Sequence, residues 1–248
     1  RGMSTGIIST ARITHATPAA AYAHSASRQW ELDTVLPEEA VAAGCEDIAA
    51  QLLSFDHGDG LDVVLGGGRQ AFLPDGEGGR RGDGRNLMQE WADRGGVTAT
   101  TANEFRAISS DDEAPVLGLF TGSHLAFEAD RVDEEEPSLA ELTSFAVRRR
   151  ENDEAGYVLL VEAGRVDHAH HATNAYRAFT DMQAFAAATL GPLRDGAASA
   201  SPRRDRAGTG AARHCDVDWN SFFSRFVVRS TTSVDSEKHW QAAWGVFF

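Results

Sequence analysis

The segment YVLLVEAGRVDHAHHATNAYRAF, residues 157–179, joins an apolar run to a dense group of polar side chains. The run at residues 157–161 is short and apolar, which favours a buried strand. Glu162 follows it at once, Asp167 comes five residues later, and the histidines are His168, His170 and His171. We therefore expect a buried strand with a polar site at its carboxyl end.

Strand-like and helix-like segments alternate outward from this point. The segments GIIST (6–10), LDVVLGGG (61–68) and APVLGLFTG (114–122) are short and apolar, as buried strands are. Helices are predicted within residues 14–30, 38–55, 86–96, 134–150 and 174–189. This alternation predicts an α/β fold with a largely parallel central β-sheet flanked by helices, whose binding residues lie at the carboxyl ends of the strands.

Three details of these helices follow from local patterns. Thr17 is the expected N-cap of the first helix, with Pro18 at its first helical position. The second helix is expected to run unbroken, with one apolar face formed by Val41, Cys45, Ile48 and Leu52. In the last helix, the residues expected to face the core are Tyr176, Phe179, Met182 and Ala186.

The residue types around the polar site indicate metal chemistry. Asp167 and His171 are four apart, so both reach one ion if the segment is helical. Mixed carboxylate and imidazole sets suit zinc, whereas sets of carboxylates and hydroxyls suit magnesium. A solvated polar loop is the alternative interpretation. A second polar group, Thr14, His15 and Thr17, lies where a strand gives way to a helix.

Charge and composition argue against nucleic acid as a partner and against a membrane span. A net charge of −14 disfavours nucleic acid, which is itself a polyanion. The sequence has no apolar run of about 18 residues and no signal-peptide pattern, so we expect no membrane span. Two cysteines, Cys45 and Cys215, allow at most one internal disulfide.

The last quarter of the chain differs in composition from the rest. Residues 191–216 are rich in glycine, alanine and arginine, and residues 217–248 are rich in aromatic side chains. We therefore divide the chain into an α/β domain at residues 1–190 and a divergent tail of uncertain structure at residues 191–248. The tail is either a separate small segment or the product of a reading frame that departs from the ancestral one near residue 190.

Several segments together resemble the alkaline phosphatase family. They include STGIISTARITHATPAAAYAHSASRQWE, DVVLGGGRQAFLP, PSLAELTSFAV and GYVLLVEAGRVDHAHHATNAYRAFTDM, in the family's order and at family-like spacings, and the resemblance extends from about Met3 to Phe185. It implies an alkaline phosphatase-like α/β hydrolase of phosphate monoesters with two Zn²⁺ ions and one Mg²⁺ ion. It also implies a periplasmic or secreted protein, commonly a homodimer.

The resemblance assigns roles to individual residues. Glu162 and Thr17 match magnesium ligands, and Asp167 and His171 match two ligands of one zinc ion. Arg28 matches the phosphate-binding arginine, whereas His15 and His168 match positions near the metals. Ten residues of straight helix between Pro18 and Arg28 would span roughly 15 Å, so we expect the chain to leave the helix or Arg28 to reach back.

Two segments of the family pattern have no match in these 248 residues. One is the Asp-Ser-Ala segment with the nucleophilic serine, and the other is the Thr-Ala-Asp-His segment with ligands of the second zinc. The resemblance therefore implies a partial chain with incomplete metal sites. Two alternatives to a working phosphatase remain: an inactive fragment that binds divalent metal or associates with a partner, and a member of the wider metal-dependent phosphatase and sulfatase group.

Overall fold

The computed structural model describes residues 2–150, 155–199, 225–231 and 239–243, and from residue 192 onward it describes the backbone alone. Its centre is a sheet of seven described strands in the order β3-β4-β2-β1-β5-β6-β7. The strands are β1 Ser4–Arg12, β2 Val63–Gly67, β3 Val97–Ala99, β4 Val116–Leu119, β5 Tyr157–Glu162, β6 Arg225–Thr231 and β7 His239–Ala243.

The first five strands in this order are parallel, β6 pairs antiparallel with β5, and β7 pairs antiparallel with β6. Within the parallel part, β1 lies between β2 and β5, with Ile8 opposite both Leu65 and Val161. The predicted α/β fold with a largely parallel sheet is thus confirmed. The sequence patterns predicted four of the parallel strands, and the three-residue β3 is too short to produce such a pattern.

Helices connect the strands and flank the sheet. They are α1 Ala16–Ala19, α2 Glu38–Ala42, α3 Ile48–Ser54, α4 Leu87–Asp93, α5 Ala102–Ala107, α6 Leu139–Arg150, α7 Gly164–His171 and α8 Ala175–Ser199. Side chains fix several of their starts. Asn86 caps α4, and Thr101 and Glu104 form a reciprocal capping box at α5.

Both faces of the sheet are buried, as expected for parallel strands with helices on either side. Successive strand residues point to opposite faces, so Ile8 and Val63 join one core while Ile7 and Val64 join the other. The first core includes side chains of α6 and α8, and the second includes side chains of α3 and α4. The carboxyl edge of the sheet lies between these two layers.

The first helix is shorter than predicted. Its N-cap is His15 rather than Thr17, which lies inside α1, and the helix ends at Ala19. Farther along, the Ser25 hydroxyl donates to the Ser27 carbonyl and accepts from the Ser27 amide. Such local bonds offer the backbone an alternative to the helix. The chain therefore leaves the helix before Arg28, which is the first of the two alternatives expected from the sequence.

The predicted helix at residues 38–55 is two helices. Gly44 has φ +75°, a left-handed conformation that ends α2, and the Asp47 side chain then caps α3 by accepting from the Ala50 amide at 2.9 Å. Ile48 and Leu52 are buried as expected. Val41 is 59% exposed and Cys45 is also exposed, so their assignment to the same apolar face was wrong.

The helix α8 turns a different face to the core than predicted. Tyr176 and Phe179 are 70% and 72% exposed, whereas Met182 packs against the core as expected. The buried positions are Ala178, Asp181, Phe185 and Ala188. Small alanines allow α8 to lie close to α6 and α7. This close packing, rather than burial of Tyr176 and Phe179, sets the orientation of α8.

The division of the chain at residue 190 stays a prediction. The helix α8 continues to Ser199, and most of residues 191–248 lie outside the described residues. In the part of the chain that is described, no helix is long and apolar enough to cross a membrane.

Candidate metal centre

The polar site begins at the adjacent carboxyl ends of β1 and β5. Ser9 and Glu162 are directly paired across these strands. The Glu162 carboxylate is 3% exposed and accepts a hydrogen bond from the Ser9 hydroxyl at 2.6 Å. The same hydroxyl accepts from the Ala11 amide at 2.9 Å, which directs its proton toward Glu162. A buried carboxylate is thus held in a fixed orientation at the strand end.

The helix α7 follows Glu162 and carries the two predicted zinc ligands. Asp167 and His171 lie on the same exposed face, with Oδ2 and Nε2 3.5 Å apart. The helix starts very close to β1, since a Cβ on Gly164 would lie 2.9 Å from the Ala11 Cβ. The Arg165 amide donates to the Thr10 hydroxyl at 3.1 Å. These contacts fix the ligand face relative to the sheet edge.

Arg28 lies beside the start of the short helix α1. Its Nη2 atom is 3.0 Å from Nε2 of His15, the N-cap residue. The Arg28 side chain is exposed, as a residue that binds a substrate from solvent must be. Thr17 lies one residue inside α1, a helix that contacts both β1 and β5.

Three histidines from separate elements meet above this edge. The ring centroids of His15 and His124 are 5.3 Å apart, those of His15 and His168 are 5.5 Å apart, and those of His124 and His168 are 4.2 Å apart. One nitrogen from each ring lies within 4.8 Å of the others. His124 was not predicted, although its place after β4 is where α/β folds carry binding residues.

Arg12 and Glu31 support this cluster and were also not predicted. The Arg12 guanidinium makes two hydrogen bonds to Glu31, at 2.8 and 2.6 Å, and Glu31 accepts a third from the Thr14 hydroxyl at 2.5 Å. Burial raises the pKa of Glu31, but the hydrogen bonds from Arg12 and Thr14 outweigh it and leave that pKa below its usual value. Glu31 is therefore ionised and balances the charge of Arg12.

The three imidazoles are neutral near pH 7. Burial, with the charge of Arg12 next, lowers the pKa of His124 to about 3. Burial and then Arg165 lower the pKa of His168 to about 4. The pKa of His15 is also lowered, first by burial and then by Arg12 and Arg28, although Glu31 and Asp167 oppose this. Neutral rings keep a nitrogen lone pair for a cation or a proton.

The predicted site residues therefore all lie at one edge of the sheet. Arg28, His15 and His168 are in one cluster, and Asp167 is next to His168 and close enough to raise the His15 pKa. Glu162 is at the end of β5, two residues before α7. Their individual roles as ligands stay predictions. His170 is exposed on α7 and has no predicted role.

Comparisons with known proteins agree with this fold. The family model described as "Alkaline phosphatase" matches residues 1–192. The alkaline phosphatase of Gadus morhua is 39% identical over 185 residues, which cover 68% of this chain and 38% of that protein. The tissue-nonspecific isozyme of Gallus gallus is 39% identical over 193 residues, which cover 71% of this chain and 37% of that protein.

A solved structure shows the same architecture. The cold-active alkaline phosphatase of Shewanella sp. superposes with a TM-score of 0.61 at 31% identity, covering 80% of this chain and 41% of that one. Fold and site together define an α/β protein with a candidate metal centre at the carboxyl edge of a parallel sheet. The chain belongs to the alkaline phosphatase family, a family of phosphatase enzymes, and it spans less than half the length of these relatives.

Proposed function

We propose that this chain supplies part of the active centre of a phosphate monoester hydrolase that uses two Zn²⁺ ions and one Mg²⁺ ion. The observation that carries this proposal is the convergence of Arg28, Asp167 and Glu162 on one sheet edge. Each of these residues matches a functional position of the family, and Arg28 is more than 130 residues from the other two along the chain. Small phosphate monoesters are the proposed substrates.

The donor atoms fit the proposed ions. Glu162 offers a buried carboxylate and Thr17 a hydroxyl, and such hard oxygen donors suit Mg²⁺. Asp167 and His171 offer one oxygen and one nitrogen 3.5 Å apart, a mixed pair that suits Zn²⁺. When bound, such ions lower the pKa of an oxygen nucleophile and stabilise the negative charge of a leaving oxygen.

Arg28 is the residue proposed to bind the substrate phosphate. A guanidinium presents two parallel N–H donors that match two phosphate oxygens. Arg28 is exposed and its Nη2 atom faces the neutral His15 ring, so no ion pair with a carboxylate of the described residues has to be broken before it binds phosphate. Arg12, by contrast, is already occupied by Glu31, which leaves Arg28 as the proposed phosphate ligand.

The test is metal-dependent hydrolysis of a chromogenic phosphate monoester at pH 8–10 by the purified chain. Hydrolysis by the residues of this chain alone would give product release that requires Zn²⁺ and Mg²⁺ and that Asp167→Ala abolishes. Arg28→Ala should lower kcat/KM by roughly 10–150-fold, since a hydrogen bond to a charged group is worth about 1.5–3 kcal/mol. His57→Ala, an exposed histidine outside the site, is the matched control.

Release no greater than that of Asp167→Ala would contradict hydrolysis by this chain. Metal binding without such release would instead support the alternative of a metal-binding fragment that does not turn over substrate.

We further propose that the working protein is a homodimer in the periplasm or outside the cell, as the family resemblance implies. Sedimentation of the purified chain tests the first part, with twice the monomer mass expected. Fractionation of the source cells tests the second, and recovery in the cytoplasm would contradict it.

A further inference from the structure

We propose that His15, His124 and His168 form a third type of metal site in this chain, a three-histidine site for a borderline transition-metal cation such as Zn²⁺ or Co²⁺. It uses none of the residues of the proposed sites at Glu162 with Thr17 and at Asp167 with His171. The proposal concerns metal binding, so it does not depend on hydrolysis of a phosphate ester.

The distances are close to those of a metal site. One nitrogen from each ring lies within 4.8 Å of the other two. A tetrahedral ion with metal–nitrogen distances of about 2.0–2.1 Å holds its ligand nitrogens about 3.4 Å apart. The rings therefore need to approach one another by no more than about 1.4 Å. Small side-chain rotations at three residues would achieve this without movement of the strands.

The ring types select the ion. Three imidazoles suit Zn²⁺, Co²⁺, Ni²⁺ or Cu²⁺, whereas Mg²⁺ prefers oxygen donors and keeps several waters. The nearest fixed cation, Arg12, is paired with Glu31 at 2.6 Å, so its charge is balanced. Two further cations are close to the cluster: Arg28, on an exposed side chain, contacts His15, and Arg165 contacts His168.

More hydrogen-bond donors face the His124 ring than its nitrogens can accept from. The Arg12 amide approaches its Nδ1 atom at 3.1 Å, and the Arg12 Nη1 atom approaches its Nε2 atom at 2.6 Å. Both Arg12 groups are donors, and a neutral imidazole accepts at one nitrogen only. A cation at Nε2 replaces the guanidinium contact, and ring rotation then releases Nδ1 from the amide so that it carries the proton. Arg12 keeps both hydrogen bonds to Glu31.

Among the described residues, no arginine hydrogen-bonds to the second nitrogen of either of the other two rings. Arg28 contacts Nε2 of His15, which leaves Nδ1, and Arg165 contacts Nδ1 of His168 at 3.3 Å, which leaves Nε2. The backbone that carries each of these two rings is fixed by its neighbours. His15 is the N-cap of α1, and α7, which carries His168, is fixed to β1 through Arg165 and Thr10. Prepositioned ligands of this kind reduce the cost of assembling the site.

The experiment is a Co²⁺ titration of the full chain followed by the visible d–d absorption bands. The background is the double variant Asp167→Asn, His171→Asn, which removes the proposed zinc pair. We expect one equivalent of Co²⁺ to bind and excess Mg²⁺ not to displace it. His124→Asn should weaken binding at least about tenfold, since loss of a ligand costs no less than loss of an outer-shell partner. His57→Asn, the matched control, should leave it unchanged.

X-ray absorption of the Zn²⁺-loaded or Co²⁺-loaded chain counts the imidazole ligands without any substitution at the cluster. Three imidazoles on one ion would support the proposal. The proposal is overturned if the double variant binds no Co²⁺, or if His124→Asn binds it with unchanged affinity and spectrum. Circular dichroism of each variant shows whether its fold is retained. If a variant does not fold, the number of imidazole ligands counted in the unsubstituted chain tests the proposal instead.

Discussion

At the residue scale, the ion pair of Arg81 and Asp47 shows how this chain buries charge. Arg81 is 1% exposed and donates to both oxygens of Asp47, at 3.0 and 2.9 Å, and to the Ala71 carbonyl at 3.1 Å. A further ion pair links it to Asp83. Asp47 also caps α3, so one carboxylate joins the helix to the loop after β2. Such a pair is stable only while both charges are present.

Replacement of Asp47 by alanine should therefore be strongly destabilising. The change leaves a buried guanidinium with only Asp83 to balance it and removes the cap of α3. We expect Asp47→Ala to lower the free energy of unfolding by about 3–5 kcal/mol, measured by urea denaturation. Asp59→Ala, at an exposed aspartate, should change it by less than about 0.5 kcal/mol. A loss below about 1 kcal/mol for Asp47→Ala would contradict the role of this pair.

Asp181 should make stability depend on pH. It is 3% exposed, and burial raises its pKa from 3.8 to about 6, although the Glu128 amide and the Arg165 charge oppose the shift. Between pH 3.8 and about pH 6 the native state holds a proton on Asp181 that the unfolded state has released. The contribution of Asp181 to the free energy of unfolding therefore falls as the pH rises through this range. This rise in the pKa of Asp181 corresponds in full to about 3 kcal/mol of unfolding free energy.

Comparison with Asp181→Asn isolates this effect from that of other carboxylates. We expect the free energy of unfolding of the variant, minus that of the unsubstituted chain, to increase by about 2.4 kcal/mol between pH 4 and pH 7, because part of the full effect lies outside this range. Asp59→Asn provides the exposed control. A difference that stays constant across this range would show that Asp181 titrates normally.

At the element scale, the end of β2 determines where the loop after β4 runs. The Gly68 amide donates to the Ser123 carbonyl at 2.7 Å, and Gly67 lies so close that a Cβ there would be 2.1 Å from the same oxygen. His124 follows directly. The position of this histidine therefore depends on the absence of a side chain in a neighbouring strand.

A methyl group at this point should displace the loop. We expect Gly67→Ala to lower the free energy of unfolding by about 1–3 kcal/mol or more, because a backbone oxygen cannot move aside as a flexible side chain can. Gly76→Ala is the matched control, since no described atom outside the adjoining residues lies within 4 Å of a Cβ there. Thermal unfolding followed by circular dichroism compares the two, and equal melting temperatures would contradict the close contact.

The same scale explains which features were predictable from the sequence. The strands β1, β2, β4 and β5 were predicted because each is an apolar run between turn residues. The exposed face of α8 and the break at Gly44 were missed because neighbouring elements and a single left-handed residue decide them. Glu162, Asp167 and His171 lie together in one motif, whereas Arg12, Glu31 and His124 meet only after folding, so no local pattern marks them.

At the scale of the whole molecule, metal binding should raise thermal stability. An ion that binds only the native state adds about 2.7 kcal/mol at a concentration 100 times its Kd. For a chain of 248 residues this corresponds to a rise in Tm of roughly 5–10 °C. Calorimetry with Zn²⁺ and Mg²⁺, and again with excess chelator, measures the difference. An unchanged Tm would contradict metal binding by the folded chain.

The central place of β1 in the sheet has a consequence for synthesis on the ribosome. Ser9 in β1 is bonded to Glu162 in β5, a partner 153 residues later in the chain. At about 5–20 residues per second, roughly 8–30 s separate the synthesis of the two strands. During this interval β1 can pair on one side only, with β2. The nascent chain therefore exposes an apolar strand edge to other proteins until β5 emerges.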